Sequence, residues 1–362
     1  MNREFLMLAH QYKPNKYDVK GWYLSEKLDG FRAFWDGGLS RGMPTKEVPW
    51  AGMLDPKTQL EKSRIKPIST GLWSRYGNPI MAPDWFLNQL PPLMLDGELW
   101  AGRGGFQKCR SICSSDIPGP GWHDIEYAIF STPHPGNFAF DGIIKNANMY
   151  CVMNSEEIYR WIQLRNMSLG GAFMRIQDGA DFEEELTCLR EAFDGVGSSI
   201  YLHHQRKLPM TNVDEAINVA LDSILANGGE GVVIRDSTSQ WEPRRVRTML
   251  KYKPFSDAEA VITGFTSGRK TDKGSKFLGK IGALIVKYNG KRLELSGLTD
   301  EERAFAGSLD TQWATNNPGV DAPYWVEGKH FRLGQTITFK YRELSDEGIP
   351  KEGRYWRKRG NE

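Results

Sequence analysis

The sequence lacks most of the features that mark a specialised class of protein. It has four cysteines in 362 residues and no CxxC pair, so we expect reduced thiols and no structural zinc site. Lysine and arginine (47) nearly balance aspartate and glutamate (45), and a net charge of +2 does not by itself indicate a nucleic-acid ligand. No run approaches the ~18 apolar residues of a membrane span, and the apolar run Phe5–Ala9 is too short for a secretory signal. These absences predict a cytoplasmic protein that does not enter a membrane.

The composition is that of a globular chain with room for about two domains. Hydrophobic residues make up 40% and charged residues 25% of the chain, which is enough apolar material for a core. Short alternating segments before residue 130 and after residue 230 indicate strands. In FRAFWDGG, for example, Phe31, Ala33 and Trp35 share one face before an Asp-Gly-Gly turn. Because the middle of the chain has a helical period, the pattern predicts an α+β protein.

Three helices are predicted between about residues 150 and 228, where apolar residues recur every three or four positions. Their apolar faces are Ile158, Trp161 and Ile162 in the first, Phe182, Leu186, Leu189 and Phe193 in the second, and Ile217, Leu221 and Ile224 in the third. We interpret these faces as parts of a core. His203 and His204 are adjacent and would point apart in an extended segment, so we expect no shared metal site there.

Alternation returns after about residue 255 in five or so short strands with Gly-rich turns and almost no helix, which indicates a small β-barrel. In QTITFKYREL, for example, Ile337, Phe339 and Tyr341 share a face. Pro254 ends the preceding segment. We therefore predict domains over residues 1–254 and 255–362.

A lysine in a short charged motif is the first candidate for chemistry. Lys27 stands in SEKLDGFR, where an acidic turn residue, a glycine and Arg32 follow it. A lone KxDG motif describes many ordinary surface lysines. Five further motifs follow it along the chain: SRYG (74–77), LDGELW (95–100), YAIF (127–130), GEGVVIR (229–235) and LKYK (250–253).

In this order the motifs resemble those of the covalent nucleotidyltransferases, which comprise ATP-dependent DNA ligases, RNA ligases and mRNA capping enzymes. Longer segments are similar to the small two-domain DNA ligases of bacteria and viruses: SEKLDGFRAFWDG, LDGELWAGRGGFQ, KYKPFSDAEAVITGF, GKIGALIVKYNGK and ITFKYRELSDEGIPK. The resemblance implies an adenylation (nucleotidyltransferase, ATP-grasp-like) domain of antiparallel sheets with helices, followed by an OB-fold β-barrel that binds DNA. Residues 134–210 carry no family motif and look like an enlarged helical insertion, with extra DNA contact or structural padding as its two possible roles.

The resemblance also implies a three-step sealing of nicks with ATP and Mg²⁺. Lys27 is the implied nucleophile at the α-phosphate, and positive charge from Lys251, Lys253 and Mg²⁺ would lower the pKa of its amine. AMP then moves to the 5′-phosphate of a nick, and the 3′-hydroxyl expels it.

The nucleotide contacts implied by the family fall on an aromatic ring and two carboxylates. Phe130 matches the position whose ring stacks on adenine. Glu98 is expected mainly at the ribose and Glu230 mainly at the metal, and both carboxylates suit Mg²⁺.

Phosphate and DNA contacts follow from the same resemblance. Arg32, Arg75 and Arg245 stand where the family holds the ribose, the 5′-phosphate or the AMP phosphate, because a guanidinium can bind two oxygens. A one-residue shift would reassign Arg245, since Arg244 and Arg247 crowd the same stretch. The basic residues expected at the DNA backbone are Arg269, Lys270, Lys273, Lys276, Lys280, Arg354 and Arg357.

Several features depart from the family or leave alternatives open. No Arg-x-Asp-Lys motif follows residue 340, so the orientation of pyrophosphate is left open. Only 26 residues precede Lys27 and there is no Cys₄ module, which disfavours NAD as the donor. An RNA ligase, a capping enzyme and a non-catalytic binding protein with this fold remain alternatives. We expect a monomer that acts on nicked duplex DNA in the cytoplasm, or in the host cytoplasm if the chain is viral.

Overall fold

The computed structural model describes residues 6–51, 67–138, 155–168, 170, 176–193, 199–270, 274, 276–345 and 347–358. The chain divides into two compact units, Met1–Tyr252 and Lys253–Glu362. No helix among these described residues is long and apolar enough to cross a lipid bilayer. Sheets and helices occur together in both units, which confirms the predicted α+β class.

The first unit is built from two five-stranded sheets and several helices. Its strands are β1 (Leu8–Gln11), β2 (Tyr23–Glu26), β3 (Phe31–Asp36), β4 (Leu72–Ser74), β5 (Met94–Trp100), β6 (Glu126–Ser131), β7 (Ile200–Leu202), β8 (Arg206–Lys207), β9 (Val232–Arg235) and β10 (Arg245–Tyr252). Its helices are α1 (Asp84–Leu87), α2 (Phe106–Cys113), α3 (Ser155–Ser168), α4 (Phe182–Phe193) and α5 (Val213–Ala226), with 3₁₀ turns at Thr45–Glu47, Pro120–Asp124 and Pro135–Phe138. The strand orders are β1-β10-β9-β2-β8 in one sheet and β4-β3-β5-β6-β7 in the other.

The sheet that contains β3 separates two hydrophobic cores. Ala33 and Trp35 face a core that α1, α2 and α4 complete, while Phe34 faces a second core with Trp50 and Trp73. The predicted alternation of β3 is confirmed, and its Asp-Gly-Gly turn follows at Asp36. Both faces of this sheet are buried, so its strands are held firmly in register.

The other sheet packs on α5. Ile217 and Leu221 of the helix are buried against Leu24 and Val232 of β2 and β9. The three predicted helices correspond to α3, α4 and α5, and their described apolar positions include the buried Ile158, Leu186 and Ile217. The prediction of three helices in this part of the chain is therefore confirmed.

The two sheets of the first unit are joined by a short piece of chain, residues 203–205, which we call the crossover segment. It leaves β7, which pairs in parallel with β6, and enters β8, which pairs with β2. Neither β7 nor β8 was predicted, because strands of three and two residues are too short to show alternation. The stretch 134–210, predicted as helical, thus adds an edge strand to each sheet.

The second unit centres on one five-stranded sheet. Its strands are β11 (Ser256–Ser267), β12 (Ile281–Tyr288), β13 (Lys291–Leu295), β14 (Thr336–Tyr341), β15 (Glu343–Leu344), β16 (Pro350–Lys351) and β17 (Arg354–Lys358), and its helix is α6 (Ser308–Asn316). The sheet has the order β13-β12-β11-β14-β17, and β15 pairs with β16. Ile337 and Phe339 are buried on the predicted face of β14.

Two details of the second unit differ from the expectation of a helix-poor barrel. The helix α6 was not predicted; it begins after Gly307, whose backbone N–H donates to Asp310 at 2.9 Å. The edge strands β13 and β17 are joined by an isolated bridge between Ser296 and Arg354 and not by a ladder. The sheet therefore curls towards closure without a continuous seam in the described residues.

A buried carboxylate at the end of β3 makes the stability of the first unit depend on pH. Asp36 accepts hydrogen bonds from the Ser40 hydroxyl, from Trp73 Nε1 at 2.9 Å and from the Gly38 backbone N–H at 3.0 Å. Burial nevertheless raises the pKa of Asp36 from 3.8 to about 6. Because the folded state then holds a proton that the unfolded chain has released, stability falls as pH rises through this window.

Replacing Asp36 with asparagine should remove this pH dependence. The free energy of unfolding of the original protein minus that of Asp36→Asn should fall by up to about 3 kcal/mol between pH 4 and 7, at 1.36 kcal/mol per pKa unit. Urea unfolding at four pH values measures this difference. A difference that stays constant with pH would show that Asp36 titrates as it does in the unfolded chain.

Candidate active site

The first unit contains a cavity of about 1270 Å³ between its strands. Most of the residues predicted for the nucleotide and the 5′-phosphate line it: Lys27, Arg32, Arg75, Glu98, Phe130, Arg245 and Lys251. The cavity is larger than the ~300–1,000 Å³ typical of small-molecule sites. It can therefore hold a nucleotide with its phosphates.

Strand pairing brings the candidate nucleophile to a carboxylate 203 residues away. The antiparallel ladder of β2 and β9 pairs Glu26 with Val232, and the Lys27 backbone N–H donates to the Gly231 carbonyl at 2.8 Å. Lys27 therefore follows one strand where Glu230 precedes the other. The Lys27 ammonium forms an ion pair with Glu230, and 27% of the Lys27 side chain is exposed to the cavity and solvent.

The glycine of the KxDG motif lets the chain pass close to β5. A Cβ at Gly30 would lie 2.3 Å from the Leu99 carbonyl oxygen and 2.8 Å from Glu98 Cγ, so no side chain fits there. The ladder of β3 and β5 then pairs Arg32 with Glu98. The glycine at position 30 thus allows β3 to pair closely with β5, and this pairing brings Glu98 into the same cavity as Lys27.

Arg32 is bound by Asp96, a residue of the LDGELW motif for which the sequence predicted no role. Its Nε and Nη2 atoms donate to the two oxygens of Asp96, each at 2.7 Å, and Trp241 Nε1 donates to the same carboxylate at 2.9 Å. The Arg32 guanidinium lies 4.5 Å from the centroid of the Phe130 ring. Burial opposes the charge of Arg32, but Asp96 outweighs it and the net pKa of Arg32 is raised. Arg32 therefore orders Phe130 and adds fixed positive charge to the cavity.

Glu98 is a carboxylate whose charged form is disfavoured by its surroundings. Burial raises its pKa to about 7, against the lowering effect of Arg32 and Lys27. A carboxylate that is poorly solvated in this way gains from a cation or a hydroxyl donor. It is a suitable partner for a ribose or for a metal ion bound with ATP.

The remaining predicted cations lie at the rim and at the floor of the cavity. Arg75 is exposed, and its guanidinium lies 4.7 Å from the ring centroid of Tyr76. Arg245 is exposed at the start of β10, where Nη1 donates to the Ala9 carbonyl at 2.5 Å. Lys251 is half-buried later in the same strand, paired with Val233 of β9.

The other predicted basic residues belong to the second unit. Lys253 is buried there, and its carbonyl accepts a hydrogen bond from Arg342 Nη1 at 3.3 Å. Arg269 and Lys270 are exposed just after β11, Lys280 is half-buried before β12, and Lys276 pairs with Asp300 at 2.9 Å. Arg354 and Arg357 are exposed on the edge strand β17. Lys273 lies outside the described residues.

The cavity also contains two residues for which the sequence predicted no role, Arg235 at the end of the GEGVVIR motif and His203. Arg235 is buried, donates to Glu185 at 3.1 Å, and lies 3.9 Å from the centroid of the Phe182 ring. His203 is buried and lines the cavity, whereas His204 is exposed, so the two side chains do point apart. His203 reaches the cavity through the pairing of β7 with β6, and none of the motifs includes it.

Comparison with known proteins agrees with this geometry. A DNA ligase OB-like domain matches residues 273–359. A DNA ligase of Haemophilus influenzae is 23% identical over 356 residues, which cover 98% of this chain and 92% of that protein. The chain is therefore similar to a DNA ligase along nearly its whole length.

Two further relatives extend the comparison. A DNA ligase of African swine fever virus is 28% identical over 159 residues, which are 42% of this chain and 34% of that one. A solved structure from work on Lig E DNA ligases and DNA binding with a minimal scaffold superposes with a TM-score of 0.60 at 22% identity, covering 98% of both chains. The predicted fold class, including the OB-like second part, is confirmed.

Proposed function

We propose that this chain is an ATP-dependent DNA ligase that seals nicks in duplex DNA through a covalent AMP adduct on Lys27. The observation that carries the proposal is that Lys27, which forms an ion pair with Glu230, lines a cavity together with Glu98, Phe130 and Arg32. A DNA ligase OB-like domain in the same chain supports duplex DNA as the substrate.

The first step needs an amine with a free electron pair. Glu230 Oε2 lies within hydrogen-bonding distance of Lys27 Nζ and can accept the proton that must leave. Nζ then attacks the α-phosphorus of ATP, a nitrogen–phosphorus bond forms, and the bond to the bridging oxygen breaks. Pyrophosphate leaves with the electron pair. AMP is next transferred to the 5′-phosphate, and the 3′-hydroxyl of the nick displaces it.

The cations around the cavity orient the phosphates during these steps. Lys251 and Arg32 line the cavity with Lys27 and add positive charge there, and we assign contact with the 5′-phosphate to Arg75 and Arg245, which line the same cavity. Lys253 is assigned to the same task on the basis of its motif. These groups act by position and charge, because phosphoryl transfer requires little other chemistry from the protein.

The carboxylates fit a magnesium ion that arrives with the nucleotide. No group of three or more His, Cys, Asp or Glu side chains in the described part of the chain could hold a metal by itself. Mg²⁺ commonly takes one or two carboxylates and completes its shell with phosphates and water. Glu98 and Glu230 are the residues that would hold it, and the bound ion would neutralise charge on the phosphate oxygens.

We assign DNA backbone binding to the second part of the chain. The residues are Arg269, Lys270, Lys273, Lys276, Lys280, Arg354 and Arg357, and residues 1–254 and 255–362 are the proposed adenylation and DNA-binding domains. Exposed cations that contact phosphates give affinity without reading sequence, as nick sealing requires. The proposal includes a monomeric enzyme in the cytoplasm, or in the host cytoplasm for a viral chain.

Phe130 should set the affinity for ATP. Phe130→Ala removes a ring that Arg32 holds in place, and stacking on a base contributes about 1–3 kcal/mol. We expect the ATP concentration for half-maximal adduct formation to rise about tenfold or more, with Phe130→Tyr close to the original protein. Adduct formation measured against ATP concentration tests this. An unchanged half-saturation value would place adenine elsewhere.

A labelling experiment tests the proposed function. The protein is incubated with α-labelled ATP and Mg²⁺, beside labelled GTP and NAD, and chased in separate reactions with nicked duplex DNA or nicked RNA. Each reaction is then run on a denaturing gel. Label from ATP that stays on the protein and is discharged as the nick is sealed is the expected result. A GTP adduct would indicate a capping enzyme, discharge on nicked RNA alone an RNA ligase, and no adduct a binding protein.

A further inference from the structure

The crossover segment lies beside the candidate nucleophile. At its start, the His203 backbone N–H donates to the Ile129 carbonyl at 2.7 Å, which continues the pairing of β7 with β6. At its end, β8 pairs Arg206 with Leu24 of β2. The segment thus connects the sheet that contains Glu98 and Phe130 to the sheet whose strand β2 ends just before Lys27.

The imidazole of His203 connects the two sheets directly through a hydrogen bond to the backbone of β2. Its Nε2 atom lies 2.8 Å from the backbone carbonyl oxygen of Glu26, the residue immediately before Lys27. A carbonyl oxygen can only accept, so Nε2 carries the hydrogen and donates it. Burial lowers the pKa of His203, which favours a neutral ring with one N–H, and this N–H is used at Glu26.

Other hydrogen bonds at this point run within the sheet of β2 or to an exposed side chain. The Lys27 backbone N–H donates to the carbonyl of Gly231, which immediately precedes β9 in the sheet of β2. The Glu26 carboxylate accepts hydrogen bonds from Arg103 Nε at 3.0 Å and Nη2 at 2.8 Å, but the Arg103 side chain is 39% exposed. Among these bonds, the one from His203 is both buried and directed to the backbone at Lys27.

We propose that His203 is a positioning residue for the Lys27 amine. It fixes the peptide before Lys27 relative to the sheet that carries Glu98 and Phe130, so that Nζ meets the α-phosphate in line. The proposal rests on the proposed function, and it assigns a role in the first step alone. Small displacements of a reacting group can cost on the order of 100-fold in rate.

The test compares two substitutions at this position with one beside it. His203→Leu fills much of the same volume without a donor, whereas His203→Gln keeps an amide N–H that can reach the Glu26 carbonyl. His204→Ala is the matched control, because His204 is the exposed neighbour in the same segment. For each variant, the single-turnover rate of adduct formation is measured against ATP concentration. Sealing of a nick that already carries 5′-AMP is measured separately, since that step does not need Lys27 as a nucleophile.

We expect His203→Leu to lower the maximal rate of adduct formation by about 10- to 100-fold with an unchanged half-saturating ATP concentration. His203→Gln should recover to within a few-fold of the original rate, and His204→Ala should match it. Sealing of the pre-adenylylated nick should change less than about twofold in all three. The combination separates positioning of Lys27 from a general effect on the fold.

Three results would overturn the proposal. Rates for His203→Leu that match the original protein would show that the bond is not needed. Equal loss in His203→Leu and His203→Gln, or loss of both steps together, would show that the residue supports the fold and not the nucleophile. Failure of both His203→Leu and His203→Gln to fold would have the same meaning. Absence of an adduct in the original protein would instead refute the proposed function.

Discussion

Lys27→Arg should form no detectable covalent AMP adduct, a loss on the order of 10⁴-fold or more. Arginine keeps the positive charge that Glu230 contacts, but its guanidinium does not lose a proton in proteins and cannot attack the α-phosphate. The measurement is the labelled adduct on a denaturing gel. Sealing of a nick that already carries AMP should continue, because that step uses the 3′-hydroxyl as its nucleophile.

The control for this substitution is Lys20→Arg. Lys20 is in the same unit and is 48% exposed, with an ion pair to Asp18 at 3.6 Å. The Lys20→Arg variant should form the adduct at the same rate as the original protein. An adduct that persists in Lys27→Arg would place the nucleophile at another residue.

Asp96→Asn should reduce the free energy of unfolding by about 3–5 kcal/mol. Asp96 is fully buried and accepts two hydrogen bonds from Arg32 and one from Trp241. An amide cannot replace the negative charge, so the Arg32 guanidinium would be left in the cavity wall without its counter-charge. Chemical denaturation at neutral pH measures the loss.

Asp84→Asn is the matched control for this charge removal. Asp84 pairs with Arg41 at 2.6 Å, but its side chain is 86% exposed, and such surface pairs contribute about 0–1 kcal/mol. If Asp84→Asn and Asp96→Asn lost equal stability, burial of the Arg32 pair would not be the source of the effect.

The sequence predicted local structure well and long-range pairing poorly. Alternation identified β3 and β14, and the helical period identified α4 and α5, because each signal lies within one short segment. The helix α6 has a mixed surface pattern and was missed. The strands β7 and β8 were missed because two or three residues carry no period.

The site could be predicted only through resemblance. Nothing within KxDG or GEGVVIR indicates that Lys27 and Glu230 meet, since their contact depends on the register of β2 and β9. The grouping of Lys27, Arg32, Glu98 and Phe130 in one cavity agrees with the motif order. The contacts that Asp96 and His203 make depend on packing around that cavity, for which the motifs contain no information.

The separation of 203 residues between Lys27 and Glu230 has a consequence during synthesis. At a rate of roughly 5–20 residues per second, the ribosome adds those residues in about 10–40 seconds. During that time β2 has no β9 to pair with, and the lysine emerges without its carboxylate or the crossover segment. Under the proposed function, a nascent or truncated chain that ends before β9 forms no AMP adduct on Lys27, and self-labelling reports that synthesis has passed β9.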